Sequence, residues 1–234
     1  MSKVILVTGG ARSGKSGFAE SLCKNQNNST AYIATSVAFD DEMKERVRKH
    51  QASRPKEWKT YEIYKDIYKI IKDISEKHQT VILDCITLLV NNLMFTDGID
   101  IDNASEEEIN ELEAYIQDQI KKLMEEVKKT DLYFVMVTNE IGLGVVPGYK
   151  LGRVYCDFVG RINQMLGKLS DEVYFVVCGI PTKIKGLNCE KEMFETGCFK
   201  YTFTRLTPVD KCEGMCEYVL MIPVSPLKAS LVSS

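Results

Sequence analysis

Residues 4–16 read Val-Ile-Leu-Val-Thr-Gly-Gly-Ala-Arg-Ser-Gly-Lys-Ser. The apolar run 4–7 predicts a buried parallel strand, and Phe18 and Leu22, four residues apart, predict a helix face directly after the stretch. Between them, residues 9–16 match G-x-x-x-x-G-K-[ST], a loop whose backbone N–H groups surround nucleotide phosphates. The stretch therefore predicts binding of a nucleoside triphosphate. The alternative, a glycine-rich turn with an exposed lysine, is disfavoured by the flanking strand and helix.

Each residue type in this loop has a chemical reason to be there. Glycines 9, 10 and 14 allow backbone conformations that are closed to other residues. Lys15 is expected to reach the β- and γ-phosphates, and Ser16 is expected to hold Mg²⁺. The start of the helix adds a partial positive charge toward the phosphates.

Length and composition indicate an ordinary globular chain. Its 234 residues, 44% hydrophobic and 27% charged, fit one α/β domain with room for an appendage. The net charge of −3 gives no basic field for nucleic acid, so we expect no nucleic-acid partner. No apolar run approaches the roughly 20 residues of a membrane span. Because a strand follows Met1-Ser2-Lys3 directly, we expect no signal peptide and a reducing, cytoplasmic setting for the eight cysteines.

The rest of the chain alternates predicted strands and helices. Further strands are predicted at 30–33, 80–84, 132–137 and 173–177. Further helices are predicted at 40–51, 67–74, 88–95, 105–127 and 151–169, with residues 58–62 leading into the second of these. This alternation predicts an α/β fold with a doubly wound, mostly parallel sheet of the P-loop NTPase type.

Three predicted strands end in residues suited to a ligand crevice, which in such sheets lies outside the carboxyl ends of the strands. Ala34-Thr35-Ser36 follow one strand. Another ends in Asp84, in the manner of an aspartate facing Mg²⁺; the alternative is a structural strand-end acid. Residues 138–147, a polar triplet and a glycine-rich, proline-closed segment, predict an active-site loop. The alternative there is a simple connector to the next helix.

His50 admits two interpretations. It follows Met43 and Val47 on one side of the predicted helix 40–51, so it fits a half-buried histidine satisfied by a neighbour. It also fits a nucleophile, because imidazole titrates near neutrality and can attack phosphorus. The residues alone leave both open.

Several ordered segments beyond the phosphate loop resemble one family, the bifunctional adenosylcobinamide kinase/adenosylcobinamide-phosphate guanylyltransferase of cobalamin biosynthesis. The resemblance covers residues 3 to about 186 and rests on these segments: Thr8–Ser16, Tyr32–Ser36, Asp41–Met43, Arg46–His50, Arg54-Pro55, Trp58, Glu62, Asp84–Thr87, Asn91–Leu93, Thr138–Pro147 and Gly160–Gln164.

The resemblance implies chemistry in two halves. A nucleoside triphosphate, ATP or GTP, phosphorylates the aminopropanol hydroxyl of adenosylcobinamide, and GMP then passes from GTP through His50 to the cobinamide phosphate. It makes His50 and Lys15 catalytic, gives Mg²⁺ the ligands Ser16 and Asp84 (a position that is often Glu in the family), and implies a homotrimer. The nucleotide contacts that it implies are Gly9, Gly10, Ala11, Arg12, Ser13, Gly14, Lys15, Ser16, Ala34, Thr35, Ser36, Gln51, Ala52, Ser53, Arg54, Glu62 and Asp84.

Residues 187–234 depart from the family, which usually ends near 179–185. We therefore expect a kinase/guanylyltransferase domain at 1–186 and a C-terminal extension of unknown structure at 187–234. The extension holds four cysteines and an alternating stretch, 199–204, that fits an edge strand. Spacings of nine, fourteen and four residues lack the paired C-x-x-C of zinc knuckles, so a loosely packed tail is favoured over a zinc site.

Two other functions fit parts of the sequence. One is a small-molecule kinase that uses only the phosphate loop, with His50 structural. The other is a nucleotide-dependent switch protein. Against the switch, the chain has no Asn-Lys-x-Asp motif for reading guanine, so a preference for guanine rests on the family resemblance alone.

Overall fold

The computed structural model describes residues 1–36, 55–96 and 98–186. Their seven strands form one sheet in the order β3-β2-β4-β5-β1-β6-β7. The strands are β1 (Lys3–Gly9), β2 (Thr30–Ala34), β3 (Lys59–Glu62), β4 (Thr80–Asp84), β5 (Tyr133–Val137), β6 (Glu172–Val177) and β7 (Ile180–Lys185). β7 runs antiparallel to β6, and the other neighbours are parallel. The predicted mostly parallel sheet is confirmed.

Helices cover both faces of the sheet, as the prediction of a doubly wound fold requires. The helices of the described ranges are α1 (Lys15–Lys24), α2 (Ile71–Ser75), α3 (Ile86–Phe95), α4 (Glu106–Lys128) and α5 (Lys150–Leu169). Ala19 and Cys23 of α1 pack with Val7 and Val135 on one face. The other face carries a larger core built by α2 to α5. Because both faces are covered, β1, β2, β4 and β5 read as continuous apolar runs.

The long helix α4 begins as its sequence predicts. Ser105 Oγ accepts a hydrogen bond from the Glu108 backbone N–H, and the Glu108 carboxylate accepts one from the Ser105 N–H. This reciprocal capping box satisfies two backbone donors that the helix leaves unpaired. The buried side chains of α4 then recur at helical spacing: Ile116, Ile120, Leu123, Met124 and Val127.

The structure corrects the predictions at both edge strands of the sheet and at one helix. Lys59–Glu62 form the edge strand β3, whereas the sequence predicted only an approach to a helix. The helix predicted at 67–74 is a 3-10 turn, Ile67–Ile70, followed by the short α2. At the other edge, β7 extends the sheet beyond the last predicted strand. Neither edge strand has a buried residue, so both lack the apolar run by which the central strands are found.

Two predicted features lie outside the described residues: the helix at 40–51 and the extension at 187–234. Residues Met1–Gly186 form one compact unit. Within the described ranges, no helix combines the length and the apolar character that crossing a bilayer demands.

Replacing Ser105 with alanine removes the side-chain acceptor of the α4 capping box. We expect the variant to lose about 1 kcal/mol of unfolding free energy, a typical value for a lost N-cap. Chemical denaturation measures the change. Glu107→Gln is the matched control, because it alters the same first turn and leaves the box intact. A Ser105→Ala protein as stable as wild type would show that the capping box contributes nothing measurable.

Candidate functional site

The predicted phosphate loop joins the carboxyl end of β1 to the first turn of α1. Gly14 precedes the helix in a left-handed conformation, with φ of 93°. The loop closes on itself, because the Ser13 N–H donates to the Gly10 carbonyl oxygen at 3.2 Å. The start of α1 therefore faces the space above the carboxyl edge of the sheet, where a helix N-terminus favours anions.

Two glycines let this loop pack against β6 and the turn that follows it. A Cβ atom added to Gly9 would lie 2.4 Å from the Val176 carbonyl oxygen, and one added to Gly14 would lie 3.1 Å from Gly179 Cα. The Gly179 N–H also donates to the Ser13 carbonyl oxygen at 2.8 Å. The loop conformation is thus fixed by backbone contacts that exclude larger residues.

Lys15 lies in the loop as a buried cation, 8% exposed. Its Nζ donates to the Gly10 carbonyl oxygen at 3.1 Å. Burial lowers the pKa of Lys15, against the opposing attraction of Cys85 and Asp84. Burial has removed most of the water around this ammonium group, and one carbonyl oxygen replaces only part of that hydration. A bound phosphate would supply the missing interactions as an ion pair with Lys15.

The carboxylate of Asp84 is oriented from the neighbouring strand. It stands at the carboxyl end of β4, and its Oδ2 accepts a hydrogen bond from Tyr32 Oη at 2.8 Å. The predicted metal ligand Ser16 lies in the first turn of α1 and is half-buried. A hydroxyl and a carboxylate are oxygen donors of the kind that Mg²⁺ prefers.

One buried hydroxyl of the loop has no hydrogen-bond partner within the described residues: Ser13 Oγ. An unpartnered buried polar group is costly, and native structures rarely keep one without a reason. Its position in the phosphate loop fits a polar ligand such as a phosphate oxygen. Gly10, by contrast, borders open space, because no described atom lies within 4 Å of the position that a Cβ there would take.

The ends of β2 and β3 place three further predicted residues at the same edge. Thr35 is buried, and its Oγ1 donates to the Cys85 carbonyl oxygen at 2.7 Å and accepts from the Cys85 N–H at 2.9 Å. Its own carbonyl oxygen accepts from Asn92 Nδ2 at 2.6 Å. Ala34 pairs in register with Glu62 of β3. Thr35 therefore links the end of β2 to the residue that follows β4, and Ala34 and Glu62 lie beside it.

A buried polar network fixes the segment after β5. Asn163 on α5 accepts from Thr138 Oγ1 at 2.8 Å and donates to the Asn139 carbonyl oxygen at 3.0 Å. The Asn139 amide donates to Thr87 Oγ1 at 2.8 Å. Tyr155 Oη donates to the Thr87 carbonyl oxygen at 2.9 Å, and burial raises the pKa of Tyr155. Helices α3 and α5 thus hold the ends of β4 and β5 in one arrangement.

The thiol of Cys85 lies inside this network, and its surroundings disfavour the thiolate form that a cysteine nucleophile requires. Burial, with a smaller contribution from Asp84, raises its pKa to about 11. Its Sγ lies 3.0 Å from Thr87 Oγ1. Within the described ranges, no group of three or more His, Cys, Asp or Glu side chains is arranged to hold a metal ion. The four tail cysteines considered for zinc lie outside those ranges.

The structure brings the predicted residues of 9–16, 34–36, Glu62 and Asp84 to one edge of the sheet. It does not describe His50 or the predicted contacts Gln51, Ala52, Ser53 and Arg54. Sequence reasoning missed the supporting contacts of Tyr32 and Tyr155. The sequence placed Tyr32 in a strand and in a segment that resembles the family, and Tyr155 in a helix, but nothing in either pattern indicated these hydrogen bonds.

Gly9→Ala is expected to destabilise the protein by about 1–3 kcal/mol, as overpacking does, because the new Cβ meets a backbone oxygen that cannot move aside. It should also weaken GTP binding by displacing the loop. Gly10→Ala is the control, with open space around its Cβ and an expected change within about 0.5 kcal/mol. Thermal unfolding and calorimetric titration with GTP measure both effects. A Gly9→Ala protein as stable as the control would contradict the close packing.

Lys15→Met is expected to raise the stability of the nucleotide-free protein at pH 7. Because the folded-state pKa of Lys15 lies below the usual 10.5, the unfolded chain binds more protons at alkaline pH. The penalty of the buried charge is therefore complete at neutral pH, and the advantage of methionine should shrink as the pH rises toward 10.5. GTP affinity should fall at least about 30-fold through the lost charge contact.

Denaturant unfolding between pH 7 and pH 10 measures the change in stability, and calorimetric titration at pH 7 measures the change in GTP affinity. Lys24→Met, at the exposed end of the same helix, is the control and should keep its GTP affinity. A Lys15→Met protein less stable than wild type at pH 7 would show that the charge of Lys15 stabilises the folded state.

Comparison of the sequence with known proteins finds relatives and a family for this chain. The chain is 41% identical over 182 residues to the bifunctional adenosylcobalamin biosynthesis protein CobU of Escherichia coli (strain K12), covering 78% of this chain and 99% of that protein. It is 34% identical over 181 residues to the bifunctional adenosylcobalamin biosynthesis protein CobP of Pseudomonas aeruginosa, covering 77% and 96%. Among solved structures, the RadB recombinase is similar with a TM-score of 0.40 and 16% identity, over 74% of this chain and 73% of that chain. Residues 5–184 match the family described as cobinamide kinase / cobinamide phosphate guanyltransferase, and the chain belongs to that family.

Proposed function

We propose that this protein phosphorylates adenosylcobinamide with a nucleoside triphosphate and then transfers GMP from GTP to the product, giving adenosylcobinamide-GDP and pyrophosphate. The observation that carries the proposal is the phosphate loop itself: a backbone cradle with the buried cation Lys15, in a chain of this family. The relatives bear the name of bifunctional adenosylcobalamin biosynthesis proteins, which fits two reactions on one chain.

In the first reaction, the hydroxyl oxygen of the acceptor attacks the γ-phosphorus, its proton is lost, and the nucleoside diphosphate leaves. Lys15 stabilises the negative charge that develops on the phosphate oxygens, and the backbone N–H groups of the loop bind and orient them. Gly9 and Gly14 keep these groups in place through their contacts with Val176 of β6 and with Gly179 in the turn after it. Thr35 and the Asn139 network hold the neighbouring strand ends in fixed positions.

In the second reaction, an imidazole nitrogen of His50 attacks the α-phosphorus of GTP and pyrophosphate leaves. A phosphate oxygen of the cobinamide phosphate then attacks the same phosphorus, and His50 is released. Covalent catalysis divides one difficult displacement into two. Arg54 and the neighbouring Gln51, Ala52 and Ser53 are proposed contacts of this nucleotide, as the family resemblance implies.

Mg²⁺ fits the donor set at the site. Ser16 and Asp84 would hold it, and the bound ion would supply positive charge to the phosphate oxygens. The Tyr32 hydrogen bond fixes the Asp84 carboxylate for this task. Aspartate is one methylene shorter than the glutamate that the family often has at this position, so its carboxylate reaches less far from the strand end.

Two properties accompany the proposal. A homotrimer is expected from the family resemblance, and analytical ultracentrifugation measures it. An enzyme that consumes ATP or GTP also fits the cytoplasm, where these nucleotides are abundant.

The proposal predicts a guanylyl-histidine. Incubation with Mg²⁺ and GTP labelled at the α-phosphate should leave label on the protein after denaturation, and the label should be acid-labile and alkali-stable. It should vanish in His50→Ala and persist in His78→Ala, a matched control because the chain has two histidines. His78 contacts Ser29 and Tyr61, away from the phosphate loop. GTP labelled at the γ-phosphate should leave no label.

Absence of label on a wild-type protein that binds GTP would rule out the guanylyl-histidine intermediate. It would favour a kinase activity alone, with a structural role for His50. Transfer of the γ-phosphate to cobinamide, measured in the same samples, tests the kinase half independently.

A further inference from the structure

The segment that follows β5 exposes an unusual amount of apolar surface. We call residues 141–149, Ile-Gly-Leu-Gly-Val-Val-Pro-Gly-Tyr, the apolar loop. Leu143 is 72% exposed, Val145 95% and Val146 75%. The apolar loop contains no charged residue, although 27% of the chain is charged. Contiguous exposed apolar side chains mark interaction sites more often than chance exposure does.

This exposure is built into the fold. Gly152 on α5 is buried, and a Cβ atom there would lie 2.7 Å from Pro147 Cβ and 2.8 Å from Tyr149 Cε2. The missing side chain therefore lets Pro147 and Tyr149 pack directly on the helix. Arg153 adds a hydrogen bond from its guanidinium to the Pro147 carbonyl oxygen at 3.2 Å. The C-terminal end of the apolar loop is therefore held, while Leu143, Val145 and Val146 are exposed.

The apolar loop begins beside the phosphate loop. The Glu140 N–H donates to the Gly9 carbonyl oxygen at 3.0 Å, one residue before the apolar loop starts. Asn139 is fixed by Thr87 and Asn163. The exposed apolar side chains therefore stand on a rigid base at the same edge of the sheet as Lys15.

The proposed reactions need a surface of this kind. The acceptor hydroxyl must reach the nucleotide phosphates, so the bulk of the acceptor must rest on protein that borders the phosphate loop. A corrin ring presents methyl groups and neutral carboxamides, which match an uncharged apolar surface. We propose, on the basis of the proposed function, that the apolar loop is the docking surface for the corrin ring of the acceptor.

A second copy of the chain is the other candidate occupant, and the structure offers it a different surface. β7 forms one edge of the described sheet and carries the exposed side chains Ile180 and Ile184. An edge strand offers unpaired backbone groups to another protein. The apolar loop, outside the sheet and beside Lys15, suits a small-molecule acceptor better.

The test compares the double variant Val145→Ser/Val146→Ser and the single variant Leu143→Ser with wild type. Losing contact with one buried valine is worth about tenfold in affinity. The double variant should therefore raise the KM for cobinamide at least about tenfold, with the KM for GTP within twofold. Equilibrium dialysis with cobinamide, without nucleotide, should show the same loss. Ile184→Ser, an equally apolar exposed change on β7, should leave both constants unaltered.

Several outcomes would overturn the proposal. An unchanged cobinamide KM in the double variant, with an active wild type, would remove the apolar loop from acceptor binding and leave the proposed function standing. A changed sedimentation coefficient with unchanged cobinamide binding would identify the apolar loop as a subunit contact instead. A wild type that binds GTP but neither binds nor modifies cobinamide would refute the proposed function, and this docking surface with it.

Discussion

The close approach between the phosphate loop and β6 is the constraint on which the site depends. Gly9 lies against the Val176 carbonyl oxygen, where no Cβ fits, and the Ser13 carbonyl oxygen accepts from the Gly179 N–H. On its other side, Gly9 accepts a hydrogen bond from Glu140. Because β1 lies between β5 and β6, its end is held from both neighbours. The loop is therefore held in its conformation without a ligand, which lowers the ordering cost of binding.

Polar side chains at the carboxyl edge mostly bind one another, and this determines what remains for a ligand. Thr35, Thr87, Asn139 and Asn163 have their partners inside the protein. Such satisfied networks give rigidity to the strand ends. Lys15 and Ser13 differ, because one is a buried cation with a lowered pKa and the other a buried hydroxyl without a partner in the described residues. Lys15 and Ser13 are therefore the polar groups of the loop with which a bound anion would form new interactions.

The sequence predicted the parts of the fold whose signals are local. β1, the glycine loop and α1 are adjacent in the chain, and a buried parallel strand reads as an apolar run. β3 and β7 were missed because an edge strand is recognisable only from its partner: Ala34 for Glu62, and Val177 for Ile180. The contacts of Tyr32 and Tyr155 depend on which strand and helix face each other, which spacing does not encode. The roles assigned to His50 and to the nucleotide contacts stay predictions.

The polar phosphate loop and the apolar loop are both attached to the same short segment of the protein. The phosphate loop is polar and holds a buried cation, whereas the apolar loop is uncharged and exposed. Both are attached to the short segment 138–140, through the Glu140 hydrogen bond to Gly9 on one side and the chain itself on the other. An enzyme that joins an anionic nucleotide to a bulky corrinoid acceptor needs such surfaces at a fixed separation, because misplacement of reacting atoms by about 1 Å is costly. Asn163, which holds this segment from α5, therefore supports the base of both surfaces.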